Sequence, residues 1–347
     1  MRYIGSKAST AQWLTAFVAR HAPDATSLSD PFAGTCTVSR AFKQAGYGVI
    51  TGDLLKLSHT IQMATIGLNR PPSFAGLVEW LSPKHTEANG VETVLRRLNA
   101  LRGRRSYFSN HFSASSGRLY FTDTNAARID AIREEIAGWS AEGAIDEAEE
   151  AYLLTALVFA ADKVANTAGT YYAHLKTLSR KAVKTLELLP PPLADNRKRN
   201  ICLLADAREV VCRQSADVLY LDPPYNERDY GGYYHLPDSI VRNDCPTPGG
   251  RSGAPVARRS EKSDFCRPAH AEAAFEQLVG QAKARYILVH YTTAGLIRHR
   301  AIVRALRQRG PVSYRNLPVR AYSTVKEANG TTMNRIYWCK IDGSRQI

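Results

Sequence analysis

The sequence predicts an α/β protein: an open, mostly parallel sheet divided by a long helical stretch. Residues 27–53 read as strand, small-residue turn, helix and second strand. Residues 218–221 are a short apolar run stopped by Pro223 and Pro224, the pattern of a buried parallel strand that ends abruptly. Between these two units the chain is largely helical in period, and it returns to alternating strands and helices after residue 200.

Each element follows in order. Residues 3–7 form a polar loop, and 11–19 a helix with Trp13, Leu14, Phe17 and Val18 on one face. A strand over 27–31 runs into Asp30-Pro31-Phe32-Ala33-Gly34-Thr35-Cys36-Thr37, a helix over 38–44 ends at Gly46, and a strand over 47–51 closes at Gly52-Asp53. Residues 54–68 read as a helix broken by Pro71-Pro72, and 125–139 and 144–166 as two more helices. Pro190-Pro191-Pro192 marks a stiff connector. Strands are expected over 201–204, 217–221, 286–290 and 335–341, and helices over 269–282 and 294–309. Residues 226–264 are polar and rich in Gly, Arg and Tyr, which predicts a long functional loop that contributes nothing to a core.

Composition narrows the partners. Among 347 residues, 46 Lys+Arg against 32 Asp+Glu leave a formal charge of +14, which points to a polyanion such as nucleic acid. No basic amphipathic helix or lipidation signal favours a membrane surface, and the apolar stretch 151–161 is about half of what a span needs. The six cysteines form no CxxC pair and the start lacks an apolar leader, so reduced thiols in a cytosolic protein are expected.

Two stretches carry chemistry. Small residues Ala33 and Gly34 let the backbone approach a ligand before a helix begins, and Asp53, about 20 positions on, is placed to accept bonds from ribose hydroxyls. A tight turn with no ligand would look similar, and the full GxGxxG fingerprint is absent. In Asp222-Pro223-Pro224-Tyr225, each proline fixes its φ and lacks an N–H, and Pro224 keeps Pro223 out of the helical region. A carboxylate, a carbonyl and a ring are thus set stiffly at a strand's carboxyl end, where open α/β sheets bind ligands. Arg96, Arg97, Arg102, Arg104 and Arg105, with no acid among them and Tyr107 and Phe108 beside them, form a candidate phosphate-contacting surface; a solvated helix face is the plainer alternative. The loop 170–176 also mixes aromatics with cations, and 294–309 is an arginine-rich helix with no acid from 278 to 326.

Together these features resemble the D12-class N6-adenine DNA methyltransferases, the group that includes Dam-type enzymes. The resemblance covers nearly the whole chain, through Arg2-Tyr3-Ile4-Gly5-Ser6-Lys7, residues 30–39, Gly52-Asp53-Leu54-Leu55, residues 162–168 and residues 221–238. It departs at Cys36, where the family turn often has a second glycine, and at His290-Tyr291, where relatives often carry Ser-Tyr. It implies a Rossmann-like, S-adenosylmethionine-dependent methyltransferase sheet with an inserted, mainly helical target-recognition domain. On that reading residues 1–69 and 196–347 form the catalytic domain, 70–195 the insertion, and 226–265 a DNA-facing loop.

The resemblance further implies site roles. Tyr3, Lys7, Asp30, Phe32, Ala33, Gly34, Asp53, Asp206 and Asp222 would lie at the methyl donor, and Tyr291 would stand as a wall of the base pocket. An adenine flipped from double-stranded DNA would stack on Tyr225, while Asp222 and the Pro223 carbonyl, stiffened by Pro224, accept its amine N–H groups. Arg228, Tyr230, Tyr233 and Tyr234 would hold the DNA strand nearby. No metal is implied. A bacterial or phage origin and a cognate restriction endonuclease are expected. The rivals are an RNA base methyltransferase and a non-catalytic DNA-binding protein on the same scaffold.

Overall fold

The computed structural model describes residues 7, 10–81, 90–255, 263–317 and 333–342. The chain opens with helix α1 (Ala11–His21), strand β1 (Ser27–Asp30), α2 (Thr37–Gln44), β2 (Gly48–Asp53) and α3 (Lys56–Gln62). A π-helical turn, Met63–Gly67, extends α3. Helices α4 (Ala75–Leu81), α5 (Gly90–Asn99), α6 (Tyr107–His111), α7 (Asp123–Ala141) and α8 (Glu147–Val164) make up the middle of the chain. The sheet then resumes with β3 (Ile201–Leu204), α9 (Ala207–Arg213), β4 (Ala216–Leu221), α10 (Tyr230–Tyr233), α11 (His235–Arg242), α12 (Ala271–Gly280), β5 (Ala284–Thr292), α13 (His299–Arg307), β6 (Val312–Leu317) and β7 (Asn334–Lys340).

The sheet order is β3-β2-β1-β4-β5-β7-β6. The five strands from β3 to β5 run parallel, and β7 pairs antiparallel with both β5 and β6. The chain builds outward from β1 to β3, then returns to β4 and builds the other way. The reversal lies between β1 and β4, the position at which such sheets hold ligands beyond their carboxyl ends.

Alternation along the strands divides the core in two. Val218 and Tyr220 of β4, with Tyr286 and Leu288 of β5, face one layer with α1, α2 and the middle helices. Leu219, Leu221, Ile287 and Val289 face a second layer built from α9, α12 and α13. The middle helices share the first core: α8 packs on α3, α7 and α11. Helix α8 is buried on nearly every side, which suits its run Tyr152 to Ala161. Its start is closed by a capping box between Asp146 and Glu149. The buried Lys43 reaches the Ile66 and Leu68 carbonyls at 2.8 and 2.5 Å and so closes the end of the π turn.

Several expectations need revision. The stretch 54–68 is a short α-helix and a π turn, not one helix. Helix α13 is shorter than 294–309, because residues 293–298 form the connection from β5. The edge strand β6 was not expected: four of its six residues are exposed, so it lacks an apolar face and is held by main-chain pairing to β7. The largest revision concerns 226–264. It holds α10 and α11, and Tyr234, Leu236, Ile240 and Val241 enter the main core. His235 fastens it further, with Nδ1 at 2.9 Å from the Gly232 carbonyl and Nε2 at 3.0 Å from that of Ser252. Residues 256–262 lie outside the described residues.

Candidate active site

Four neighbouring parallel strands each deliver an aspartate to the same edge of the sheet. Asp206 follows β3, Asp53 ends β2, Asp30 ends β1 and Asp222 follows β4. All four line one cleft, together with Lys7, Phe32, Ala33, Gly34, Leu55, Tyr220, Pro223, Pro224 and Tyr225. Sequence positions almost two hundred residues apart therefore converge on the reversal point of the sheet.

The cofactor-type turn is held from behind. Gly34 has φ +50°, and its amide donates to Asp53 Oδ2 at 3.0 Å. Asp53 Oδ1 accepts from the Leu55 amide at 2.9 Å. Each oxygen keeps a further lone pair for a ligand hydroxyl. Cys36 also adopts a left-handed φ of +60°, where glycine is the usual residue, and its side chain is buried with Sγ 3.9 Å from the Gly34 carbonyl. Asp30 lies beneath the turn and accepts from Ser39 Oγ at 2.5 Å and from the Phe32 amide at 3.3 Å.

Electrostatics follow from burial. Burial pushes the Asp30 carboxyl up to about 7, with the Ser39 hydroxyl opposing and the Asp222 charge adding to the rise. Burial likewise raises Asp53 to about 6, against the amides of Leu55 and Gly34. Asp222 is raised by burial and drawn back by Lys7, whose Nζ lies 2.5 Å from Asp222 Oδ2. The Lys7 ammonium also sits 5.9 Å from the centre of the Tyr225 ring. The expectation placed Lys7 at the donor; the structure pairs it with Asp222. Sequence held one hint, a cation in the loop before α1, but no hint of its partner.

The Pro-Pro-Tyr segment is fixed on its far side. Tyr291 is 2% exposed, donates to the Pro224 carbonyl at 3.2 Å, and accepts from the Ile297 amide at 3.2 Å. It stands behind the segment and does not form a wall of the cleft, which corrects the expected role. Gly295 is required beside it, because a Cβ there would come within 2.3 Å of the Tyr291 ring. The Leu296 amide donates to the Tyr225 carbonyl at 3.3 Å. His290 is fully buried, its Nδ1 lying 3.4 Å from the Tyr220 hydroxyl.

Other expected residues fare unevenly. Asp206 lines the cleft and also caps α9, accepting from the Arg208 amide at 2.9 Å. Tyr3 lies outside the described residues. Tyr230 is a cleft wall. Tyr233 stacks on Tyr172 at 4.8 Å, with the Arg228 cation 5.6 Å from its ring. Tyr234 is fully buried in the core and presents nothing to a DNA strand. Tyr107 and Phe108 are buried too, so they do not accompany the arginines before them. Among those arginines, Arg96 pairs with Glu92, Arg97 with Glu135 and Arg104 with Glu134. The acid-free sequence thus meets acids supplied by its own preceding turn and by α7. Arg102 and Arg105 form no ion pair among the described residues.

An α/β sheet with an acid-lined cleft at its reversal point, closed by Asp-Pro-Pro-Tyr, is the arrangement of a Rossmann-like enzyme. The family model of D12 class N6 adenine-specific DNA methyltransferases matches residues 3–302, and the chain belongs to that family. It is 36% identical over 302 residues to Type II methyltransferase M.NlaIII of Neisseria lactamica, covering 86% of this chain and 85% of that protein. It is 33% identical to Type II methyltransferase M.FokI of Planomicrobium okeanokoites and 31% to modification methylase StsI of Streptococcus sanguinis. It spans 93% of itself in both cases, but only 50% and 49% of those proteins. Among the described residues no helix is long and apolar enough to cross a membrane.

Proposed function

We propose that this chain transfers the methyl group of S-adenosylmethionine to the N6 amine of an adenine turned out of duplex DNA. The observation that carries the proposal is the convergence of Asp222, Tyr225 and Lys7 on the cleft that Asp53 and the Phe32-Ala33-Gly34 turn also line. The donor set fits the cofactor. Five carboxylates, Asp229 among them, against one lysine suit a ligand bearing a sulfonium and an ammonium, and Asp53 has acceptor capacity for a ribose diol. Bound there, S-adenosylmethionine supplies an electrophilic methyl group on sulfur.

The chain's own residues do the rest. The adenine amine is a weak nucleophile because its lone pair is delocalised into the ring. An N–H bond to Asp222 and another to the Pro223 carbonyl draw that lone pair out of conjugation and aim it. Tyr225 stacks on the extruded base and offsets part of the few kcal/mol that extrusion costs. Lys7 opposes the rise that burial imposes on the Asp222 carboxyl and so favours its ionised, accepting form. Tyr291, by holding the Pro224 carbonyl, fixes the segment so that positioning does most of the catalytic work. Asp222 takes up the amine proton or passes it to water.

Residues 70–195 serve as the target-recognition part, and Arg228 and Tyr233 hold the DNA strand at the cleft mouth. The relatives' names as modification methylases suggest a cognate endonuclease as companion. Methylation-sensitive sequencing of plasmid DNA from cells expressing the chain tests the proposal. N6-methyladenine at one recurring motif is expected; plasmid without modified adenine would overturn it.

A further inference from the structure

Helix α13 carries a row of cations that the catalytic reading does not use. Its buried face is Ala301, Ile302, Ala305 and Leu306, which leaves Arg300, Arg304 and Arg307 exposed together at i, i+4 and i+7. Tyr314 of the edge strand β6 stands beside them, 54% exposed, and lines one shallow concavity with His299 and the three arginines. The Arg335 guanidinium lies 5.3 Å from the Tyr314 ring. Two acids of α12 lie near the row: Glu276 engages Arg304 at 3.4 Å, and Glu272, paired with Arg298, also feels the Arg300 charge; the chain has no Asp or Glu from 278 to 326.

The position of the row is as informative as its charge. Helix α13 begins just after the connection whose Leu296 amide holds the Tyr225 carbonyl, so its first turn lies at the catalytic edge of the sheet. The end of β6 lies at that edge as well, since Leu317 pairs with Asn334 and Asn334 with Thr292. The middle helices pack instead against α3, the π turn and α11. From β4, which carries Asp222, to β6 is three strand spacings. At about 4.8 Å each this is roughly 14 Å, or roughly four base pairs of duplex.

We propose that the α13–β6 face is a second DNA-backbone contact, gripping phosphates on one flank of the duplex about four base pairs from the target adenine. It rests on the reading that duplex DNA crosses this cleft. Arginines interleaved with an exposed tyrosine suit phosphate and sugar contacts, which position the duplex without reading its sequence. The contact extends the footprint to both flanks: the middle helices engage one and α13 the other.

Binding of a mixed-sequence 40-base-pair duplex, followed by fluorescence anisotropy across a salt series, tests this without knowledge of the target. Each lost phosphate contact lowers the slope of log affinity against log salt by about 0.9. The triple variant Arg300→Gln, Arg304→Gln, Arg307→Gln should therefore lose up to about 2.7 units of slope, and the triple lysine variant should keep them. Equal slopes for wild type and the glutamine variant would overturn the proposal, whatever partner the row then serves. On duplexes centred on the methylated adenine, lengthening one particular flank past about four base pairs should lower KM for wild type and not for the glutamine variant. Benefit lost equally from both flanks in the glutamine variant would overturn the placement. Methyl incorporation into a short duplex reports on the catalytic reading separately.

Discussion

Replacing Lys7 with methionine should move the pH dependence of catalysis rather than simply lower activity. The Lys7 ammonium lies 2.5 Å from Asp222 Oδ2, and the two side chains are only 9% and 16% exposed. At that distance two unit charges attract by about 6 to 7 kcal/mol at an effective dielectric near 20. Removing one partner of a buried pair costs about 3 to 5 kcal/mol in practice, because the other is left buried and uncompensated. Burial already raises the Asp222 carboxyl and Lys7 opposes the rise, so loss of Lys7 must raise it further. Taking about 3 kcal/mol, the shift is about two pH units upward. Asp222 must be ionised to accept the amine N–H, so the acid limb of kcat/KM should move up by that amount. On this limb the variant should be about 100-fold slower than wild type, and the deficit should close as pH rises. The assay is methyl incorporation into plasmid DNA from pH 5 to 9, with cofactor KM measured in parallel. A loss of equal size at every pH, with a raised cofactor KM, would refute the reasoning and return Lys7 to a donor-binding role.

Three further outcomes follow from the same geometry. Tyr225→Ala should raise KM for DNA roughly 10- to 100-fold through lost base stacking, while Tyr225→Phe stays close to wild type; equal losses in both would mean that the hydroxyl matters and not the ring. Asp30 is raised to about 7 in the fold, far above its unfolded value, so between about pH 4 and 7 the native state binds the extra proton and stability falls as pH rises. Asp30→Asn should remove that fall, on the order of 3 kcal/mol between pH 5 and pH 8, as measured by denaturant unfolding of the cofactor-free protein at the two pH values. Arg102→Gln with Arg105→Gln should lower the salt dependence of DNA binding more than the same changes at Arg96 and Arg97, because the latter pair already holds carboxylates. Matching slopes for the two variants would remove Arg102 and Arg105 from the DNA contact.

What could be read in advance was what local pattern encodes. The unit from β1 to β2 and the apolar run of β4 are written in contiguous residues, and the Asp-Pro-Pro-Tyr stop needs no long-range knowledge. The row of aspartates also follows, since each sits at the end of a legible strand. Tertiary placement was not legible. Tyr234 looks like its neighbours Tyr230 and Tyr233 in a Gly- and Tyr-rich stretch, and only the packing of α11 on α3 and α8 buries it. The arginines at 96–105 have no acid among them, yet Glu134 and Glu135 of α7 fold against them. Strand β6 carries Ser313, Tyr314, Arg315 and Asn316, all exposed, so its identity rests on main-chain bonds to β7 that side-chain pattern does not record. Lys7 and Asp222 are 215 positions apart, and nothing in either neighbourhood names the other.

The most direct test is transfer of a labelled methyl group from S-adenosylmethionine by the purified protein, followed by digestion of DNA and RNA substrates to nucleosides. Wild type should place the label in N6-methyladenine from duplex DNA, and Asp222→Asn should lose it while Asp53 and the cofactor turn remain intact. Label in N2-methylguanine from RNA, or equal transfer by wild type and Asp222→Asn, would contradict it.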